Sequence, residues 1–353
     1  MKTILSPLHS LHWLQEEFSL GQVRACAEKP SRVDMVVSEI RARGLGEIIA
    51  PNEHPLKHVE RVHAADYVEF LQNCWTEWER LAGPEVDAVA SVFCRPAMGH
   101  RKPRHIEGKL GYYAADTAVG LGRDSWRAIR SSADSALAGA DCLLAGERGV
   151  FALCRPAGHH ASASMMAGYC YINNVAVAAQ YLRDQGCDRV AILDVDYHHG
   201  NGTQAIFYER DDVYFVSIHG DPDDEYPFFL GRADETGSGA GAGCNLNCPL
   251  PLHTTAWPDY RAALAHGLDK ITDYAADVLV VSLGVDTFKK DPISSFKLES
   301  ADYTAMGAMI EGAGLPTLFA FEGGYAVDDL GVNTVNVLDA FDRAAHGGAG
   351  QAG

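Results

Sequence analysis

Asp196 and His198 are the residues best suited to bind a metal, because they lie two positions apart and shortly after an apolar run, Val190–Leu193. In an extended chain, side chains at i and i+2 point to the same side. A carboxylate oxygen and an imidazole nitrogen are both common ligands of Zn²⁺. Asp286 follows another apolar run and can supply a third ligand. Three protein ligands leave one position open, as in catalytic zinc sites.

A pair of histidines and a tyrosine are candidates for the acid–base chemistry that such a site needs. His159 and His160 follow a turn that contains Pro and Gly, so their rings can enter one cavity with different partners. One ring would take a proton from the attacking water, and the other would be oriented by a carboxylate, for which Asp194 is a candidate. Tyr325 follows two glycines. A phenol opposite a metal can stabilise the oxyanion of an amide under attack.

Each of these signals is weak alone, because similar residues often occur on exposed loops or in packed cores. Together they are stronger, because the candidate residues follow predicted strands. Five short apolar, β-rich runs alternate with helical patterns, and each run is followed by polar residues. This alternation predicts an α/β fold with three layers (αβα) and a central, mostly parallel sheet. Ligands bind at the carboxyl ends of the strands in such sheets, so one site is expected there. The predicted strands are Val150–Cys154, Val190–Leu193, Val213–Ile218, Val278–Leu283 and Thr317–Phe321, and the predicted helices are Ser132–Ala145, Asn174–Gln185, Trp257–Ala275 and Ser300–Ala313.

Two glycine-containing segments interrupt this pattern. The segment 87–113 contains a local excess of basic residues, and we predict a long ordered loop there. We interpret the whole chain, residues 1–353, as one domain with this loop as an insertion at about 85–113. Gly237–Gly243 resembles a phosphate loop only superficially, since no Lys-Ser/Thr ends it. A flexible turn into an edge strand at Leu246–Leu250 is the better interpretation.

The composition excludes some classes of protein. The formal net charge of −18 disfavours nucleic-acid binding and is compatible with a cationic substrate, although solubility alone could account for it. The nine cysteines form no CxxC pair. No apolar run is long enough to span a membrane, and no signal peptide is recognised. We therefore expect a cytoplasmic protein with reduced thiols.

Several motifs resemble the histone deacetylase superfamily, which has the arginase–deacetylase fold. They are CRPAGHH, GYCYINN, ILDVDYHHGNGTQAIFYERDDVYFVSIHGDP, SLGVDT and EGGY. The resemblance covers roughly residues 1–343. HIEGKLGYY, ETGSGAGAG and DPISSFKL are most similar to bacterial deacetylases that act on acetylated polyamines.

The resemblance implies a role for each matching residue. His160 would be the general base and acid, and His159 would be its electrostatic partner, paired with Asp194. Tyr325 would bind the scissile carbonyl, and Glu107 would face the cationic chain of the substrate. The remaining implied positions are zinc ligands (Asp196, His198, Asp286), channel walls (Gly168, Tyr169, Tyr226), one structural K⁺ site (Asp194, Asp196, His198, Ser217, Ile218) and a second K⁺ site (Phe207, Arg210, Val213). The loop at about 85–113 would pair two subunits into a homodimer.

The sequence departs from the family pattern in places. Ala157 replaces a Pro, and Ala118 stands where a second acidic residue is expected, with Asp116 nearby but displaced. These departures weaken the assignment of a polyamine substrate, but they do not affect the residues expected to carry out the reaction. We expect hydrolysis of N-acetyl amides, with acetylpolyamines preferred and Fe²⁺ as the alternative metal. The alternatives are a deacetylase of acetyl-lysine in proteins, a non-catalytic binder of acetylated ligands and a guanidino hydrolase.

Overall fold

The sheet at the centre of the molecule has eight parallel strands, in agreement with the predicted α/β architecture. The computed structural model describes residues 1–347. The strand order is β4-β1-β5-β10-β9-β6-β7-β8, and a separate antiparallel hairpin consists of β2 and β3. The strands are β1 (Lys2–Ile4), β2 (Glu16–Ser19), β3 (Gln22–Ala25), β4 (Ile48–Ile49), β5 (Gly149–Ala152), β6 (Val190–Asp194), β7 (Val213–Gly220), β8 (Asn245–Leu250), β9 (Val278–Leu283) and β10 (Thr317–Phe321).

Helices cover both faces of the sheet. They are α1 (Ser31–Arg43), α2 (Lys57–Glu60), α3 (Ala65–Ala82), α4 (Ile106–Tyr113), α5 (Ser125–Leu144), α6 (Asn174–Asp184), α7 (Asn201–Phe207), α8 (Trp257–Tyr274), α9 (Ser300–Glu311) and α10 (Val327–Gly347). Short 3₁₀ turns lie at Pro7–Leu11, Pro96–Met98 and Gly239–Gly241. The fold class and the three layers were predicted correctly.

Alternate side chains of each strand enter two different cores, which explains the continuous apolar runs. In β5, Val150 packs into the core formed with α5 and α6, whereas Phe151 packs into the core formed with α1, α9 and α10. A strand that is buried on both faces needs apolar residues at every position. The five predicted strands therefore match β5, β6, β7, β9 and β10 to within about two residues at each end. The predicted edge strand is β8, which lies at one end of the sheet.

The sequence patterns missed most of the N-terminal third, and one predicted loop is partly helical. β1 has three residues and β4 has two, so neither provides a measurable alternation. The segment 87–113, predicted as a loop, ends in α4, because Ile106, Leu110 and Tyr113 bury one helical face. α5 begins seven residues before the predicted start, since the pattern of its first two turns was not recognised.

Parallel pairing places five functional loops side by side. β5, β10, β9, β6 and β7 are consecutive neighbours in the sheet, so the segments that follow them leave from the same edge. At the loop after β5, the Asn173 side chain caps α6 by accepting a hydrogen bond from the Ala176 amide at 3.0 Å. The same side chain donates to the Ala161 carbonyl at 3.0 Å and so fixes the loop that contains the His pair.

Candidate active site

Asp196, His198 and Asp286, called here the ligand trio, present their ligand atoms to one point. One ligand atom from each residue lies within 4.8 Å of those of the other two, and all three residues are buried. His198 Nδ1 lies 3.1 Å from Asp286 Oδ2 and 3.4 Å from Asp196 Oδ1. Two carboxylates and one imidazole at this separation fit a divalent metal such as zinc.

Backbone amides fix the carboxylates of the ligand trio by donating hydrogen bonds to them. The Tyr197 amide donates to Asp286 Oδ1 at 2.8 Å, which leaves Oδ2 directed at His198. The Gly323 amide donates to Asp196 Oδ2 at 2.8 Å. Gly284 and Gly323 also provide space, because a Cβ atom at either position would collide with Asp196. The glycines after β9 and β10 are therefore required by the carboxylates that they surround.

Without a cation, the two carboxylates of the ligand trio repel one another. Burial, together with the neighbouring Asp196 carboxylate, raises the pKa of Asp286 to about 7. A bound divalent cation would relieve this repulsion. The electrostatics of the site therefore agree with its geometry in favouring a metal.

The two rings of the His pair have different partners, as the sequence suggested. His159 Nδ1 lies 3.0 Å from Asp194 Oδ2. Burial by itself lowers the pKa of His159, but the carboxylates of Asp194 and Asp196 outweigh burial and raise that pKa to about 10. His159 is therefore an imidazolium that is held in place by Asp194.

His160 is held by an amide instead of a carboxylate. Its Nδ1 lies 2.6 Å from Asn201 Oδ1, so Nδ1 carries the proton and Nε2 keeps its lone pair. Burial and the positive charges of His159 and His198 place the pKa of His160 well below its usual range. The neutral ring can accept a proton at Nε2.

Tyr325 lies in a loop that is fixed by two buried side chains. The Tyr325 amide donates to Asp291 Oδ2 at 2.6 Å. The Arg32 guanidinium lies 4.6 Å from the centroid of the Tyr325 ring and donates to the carbonyls of Gly324 at 2.7 Å and Glu322 at 2.6 Å. Glu28 pairs with Arg32 at 3.0 Å. Tyr325 is consequently 9 % exposed and held rigidly.

A cavity of about 220 Å³, called here the central cavity, brings these groups together. The His pair, Tyr325, Asp196 and His198 line it, as do Gly168 and the two predicted wall residues, Tyr169 and Tyr226. The Tyr169 hydroxyl donates to Glu17 at 2.6 Å, and the Tyr226 hydroxyl donates to Asp116 at 2.7 Å. The aromatic walls are therefore fixed at both edges.

Other predicted residues lie away from the central cavity. Glu107 is exposed at the start of α4, where it accepts a hydrogen bond from Ser91 at 2.8 Å. The first predicted K⁺ site shares Asp196 and His198 with the ligand trio, and two of its other members, Asp194 and Ser217, are paired across β6 and β7. The second predicted K⁺ site, at Phe207, Arg210 and Val213, lies in the connection between α7 and β7.

Sequence reasoning missed several side chains around the site. Glu17 and Glu225 line the central cavity, and Glu28 and Arg32 support Tyr325. Glu225 could have been found from its position next to Tyr226. Glu17 lies in a hairpin whose positions are exposed or half-buried, so no apolar run in the sequence indicates its role.

Comparisons with known proteins agree with this geometry. The sequence profile of the histone deacetylase domain matches residues 26–341. Acetylpolyamine amidohydrolase 2 of Pseudomonas aeruginosa is 52 % identical, over 97 % of this chain and 99 % of its own. Acetylpolyamine amidohydrolase of Mycoplana ramosa is 47 % identical, over 96 % and 98 %. The crystal structure of an acetylpolyamine aminohydrolase from Burkholderia pseudomallei superposes with a TM-score of 0.93 at 36 % identity, over 98 % of this chain and 99 % of that one.

Among residues 1–347, no helix combines the length and the apolar composition that crossing a bilayer demands.

Proposed function

Because the chain belongs to the histone deacetylase domain family, we propose that it hydrolyses acetylpolyamines to acetate and the free amine. The convergence of the ligand trio, the His pair and Tyr325 on the central cavity is the observation that carries this proposal. The likeness to two acetylpolyamine amidohydrolases over nearly their whole length supports the substrate class.

We propose Zn²⁺ as the metal held by the ligand trio, with Fe²⁺ as the alternative. The donor set of two carboxylates and one imidazole suits either ion. When bound, such a metal polarises the scissile carbonyl and makes water a stronger nucleophile.

The residues of the chain perform the proton transfers. His160 Nε2 accepts a proton from the attacking water while the new C–O bond forms at the carbonyl carbon. His160 then donates that proton to the amine nitrogen as the C–N bond breaks. The Tyr325 hydroxyl donates a hydrogen bond to the carbonyl oxygen as negative charge develops on it. His159 remains an imidazolium beside Asp194 and contributes positive charge to the cavity.

We also propose K⁺ at the two predicted sites and a cytoplasmic location. The first K⁺ site combines the Ser217 hydroxyl with carboxylate and backbone oxygens near Asp194, which are hard ligands suited to an alkali cation. The second site would use backbone carbonyls where the chain turns after α7. The nine cysteines are all free, as expected for a reducing compartment.

Metal analysis and a panel of acetylated amines test the reaction together. We expect about one zinc or iron ion per chain, loss of activity on chelation, and recovery when metal is restored. On the restored enzyme, we expect kcat/KM for N-acetylputrescine to exceed that for an acetyl-lysine peptide by at least about tenfold. Comparable turnover of the two substrates would contradict the preference for polyamines. Absence of turnover on every amide, after metal is restored, would contradict the hydrolase itself.

We propose in addition that the chain forms a homodimer through the 85–113 segment. An apolar groove of about 650 Å³ lies between this segment and residues 226–230, next to the central cavity. Phe229 lines the groove and is 78 % exposed, and Met98, which lies in the chain between the lining residues Pro96 and His100, is 68 % exposed. Exposed apolar surface of this kind commonly marks a protein–protein interface.

Sedimentation velocity checks the oligomeric state. We expect a dimer for the native chain and a shift towards monomer for Phe229→Asp, because a buried, unpaired carboxylate is costly at an interface. Leu20→Asp is the matched control, since Leu20 is 85 % exposed on the turn between β2 and β3 and does not line the groove. A native monomer, or equal dissociation of both variants, would contradict this interface.

A further inference from the structure

Glu225 and Glu17 place two carboxylates in the wall of the central cavity. Glu225 follows β7 and precedes the wall residue Tyr226, whereas Glu17 lies on β2 and contacts the other wall residue, Tyr169. Both side chains are half-buried. The cavity therefore has a carboxylate beside each of its two aromatic walls.

The His159 imidazolium is already paired with Asp194, so it does not compensate these carboxylates within the cavity. None of the described residues that line it is a Lys or Arg. Two lysines of the 85–113 segment have partners elsewhere, since Lys102 pairs with Asp66 and Lys109 pairs with Glu77. A carboxylate that is partly withdrawn from water without a counter-charge is unfavourable, and a cationic ligand removes that cost.

Both carboxylates are fixed before any ligand arrives. Glu225 accepts hydrogen bonds from the Tyr197 hydroxyl at 2.7 Å and from the Tyr226 amide at 2.9 Å. Tyr197 lies between Asp196 and His198, so Glu225 is held in a defined position relative to the ligand trio. Glu17 accepts from the Tyr169 hydroxyl at 2.6 Å. Fixed acceptors lose little conformational entropy on binding a charged group.

We propose that Glu225 and Glu17 bind the free ammonium group of the substrate and so select acetylated amines that carry a second, cationic nitrogen. This inference rests on the proposed deacetylase function and assigns its specificity to residues of the same chain. Ala118 lines the cavity without charge, and Glu107 lies outside it. Among the described residues that line the cavity, the carboxylates are therefore these two glutamates and Asp196 of the ligand trio.

A pair of isosteric substrates separates recognition of charge from the chemistry. N-acetylputrescine and N-pentylacetamide share the acetamide and the chain length, but the first ends in an ammonium and the second in a methyl group. We expect Glu225→Gln and Glu17→Gln each to lower the ratio of kcat/KM for the charged over the neutral substrate by about tenfold, mainly through KM. The ratio for the native chain should also fall as salt rises.

Neighbouring acids supply matched controls. Glu16→Gln and Asp224→Asn remove the same charge from exposed positions that do not line the cavity, and both should leave the ratio unchanged. The side chain of the Glu17→Gln variant can still accept the hydrogen bond from the Tyr169 hydroxyl. A change in the ratio of kcat/KM for this variant therefore reports the loss of charge and not a shift of the Tyr169 ring. Gln at position 225 has one acceptor oxygen for two donors, and any displacement of Tyr197 would slow both substrates and cancel in the ratio.

The outcomes distinguish this inference from the function on which it rests. If the native chain hydrolyses both amides and neither glutamate changes the ratio, recognition by Glu225 and Glu17 is wrong while the deacetylase stands. If the controls lower the ratio as much as the cavity variants do, a general surface charge is responsible and the inference is again wrong. If the native chain hydrolyses neither amide with metal bound, the proposed function itself fails.

Discussion

Replacing His160 with Ala is expected to lower kcat for amide hydrolysis by about 10²–10⁴-fold, the range typical for loss of a general base. His160 is the neutral ring of the pair, and its Nε2 can accept a proton because its Nδ1 is occupied by Asn201 at 2.6 Å. His159 cannot replace it, since its contact with Asp194 and its raised pKa keep that ring protonated. Steady-state assays on N-acetylputrescine measure the effect.

The controls for His160→Ala separate chemistry from folding and from metal binding. His160 is not in the ligand trio, so the variant should retain its metal. His266→Ala removes an exposed histidine on the outer face of α8 and should retain native activity. Activity within a few-fold of native in His160→Ala, with metal retained, would mean that another group takes the proton.

Tyr325→Phe is expected to lower kcat by about 10²–10³-fold, as found when one donor to a developing oxyanion is removed. The change deletes only the hydroxyl. The aromatic ring remains to pack against Arg32, and the backbone hydrogen bond to Asp291 is unaffected. Because the lost interaction forms in the transition state, kcat and kcat/KM should fall together with little change in KM.

Because the Tyr325 ring is held in place by its neighbours, a loss of kcat in Tyr325→Phe can be assigned to the missing hydroxyl. The midpoint of thermal unfolding should shift little for Tyr325→Phe, since the ring stays buried. Phe288→Leu, at a buried position beside Tyr303, offers a control for general loosening of the same core, and it should lower stability more than it lowers kcat. A Tyr325→Phe variant that raises KM while keeping kcat would assign the hydroxyl to binding of the substrate instead of to catalysis.

The amino-acid sequence by itself determined the five central strands of the sheet and the residues that follow them. Five strands are buried on both faces and therefore have apolar residues at consecutive positions, namely β5, β6, β7, β9 and β10. Their polar neighbours then converge, since parallel strands share one carboxyl edge. Asp196, His198 and Asp286 could be grouped for this reason, without knowledge of any contact.

The sequence also suggested that the two rings of the His pair have different roles, one as a proton acceptor and one oriented by a carboxylate. The geometry explains this difference physically. Asp194 as the partner of one ring follows from its position at the end of β6. The assignment of His160 to the neutral ring depends on Asn201, which lies 41 positions later and approaches only because α7 begins beside the His pair. An amide acceptor fixes the ring without adding charge.

Tertiary structure alone decided the mouth of the cavity and the support of Tyr325. Glu17 comes from a hairpin with exposed and half-buried positions, and Arg32 lies 292 positions before Gly324, whose carbonyl it contacts. Periodicity does not indicate the roles of these residues, because the hairpin and the start of α1 are placed by long-range packing and not by their own hydrophobicity. The catalytic edge could be predicted because the carboxyl ends of parallel strands meet at one edge of the sheet. No comparable rule predicts the positions of the groups that select the substrate.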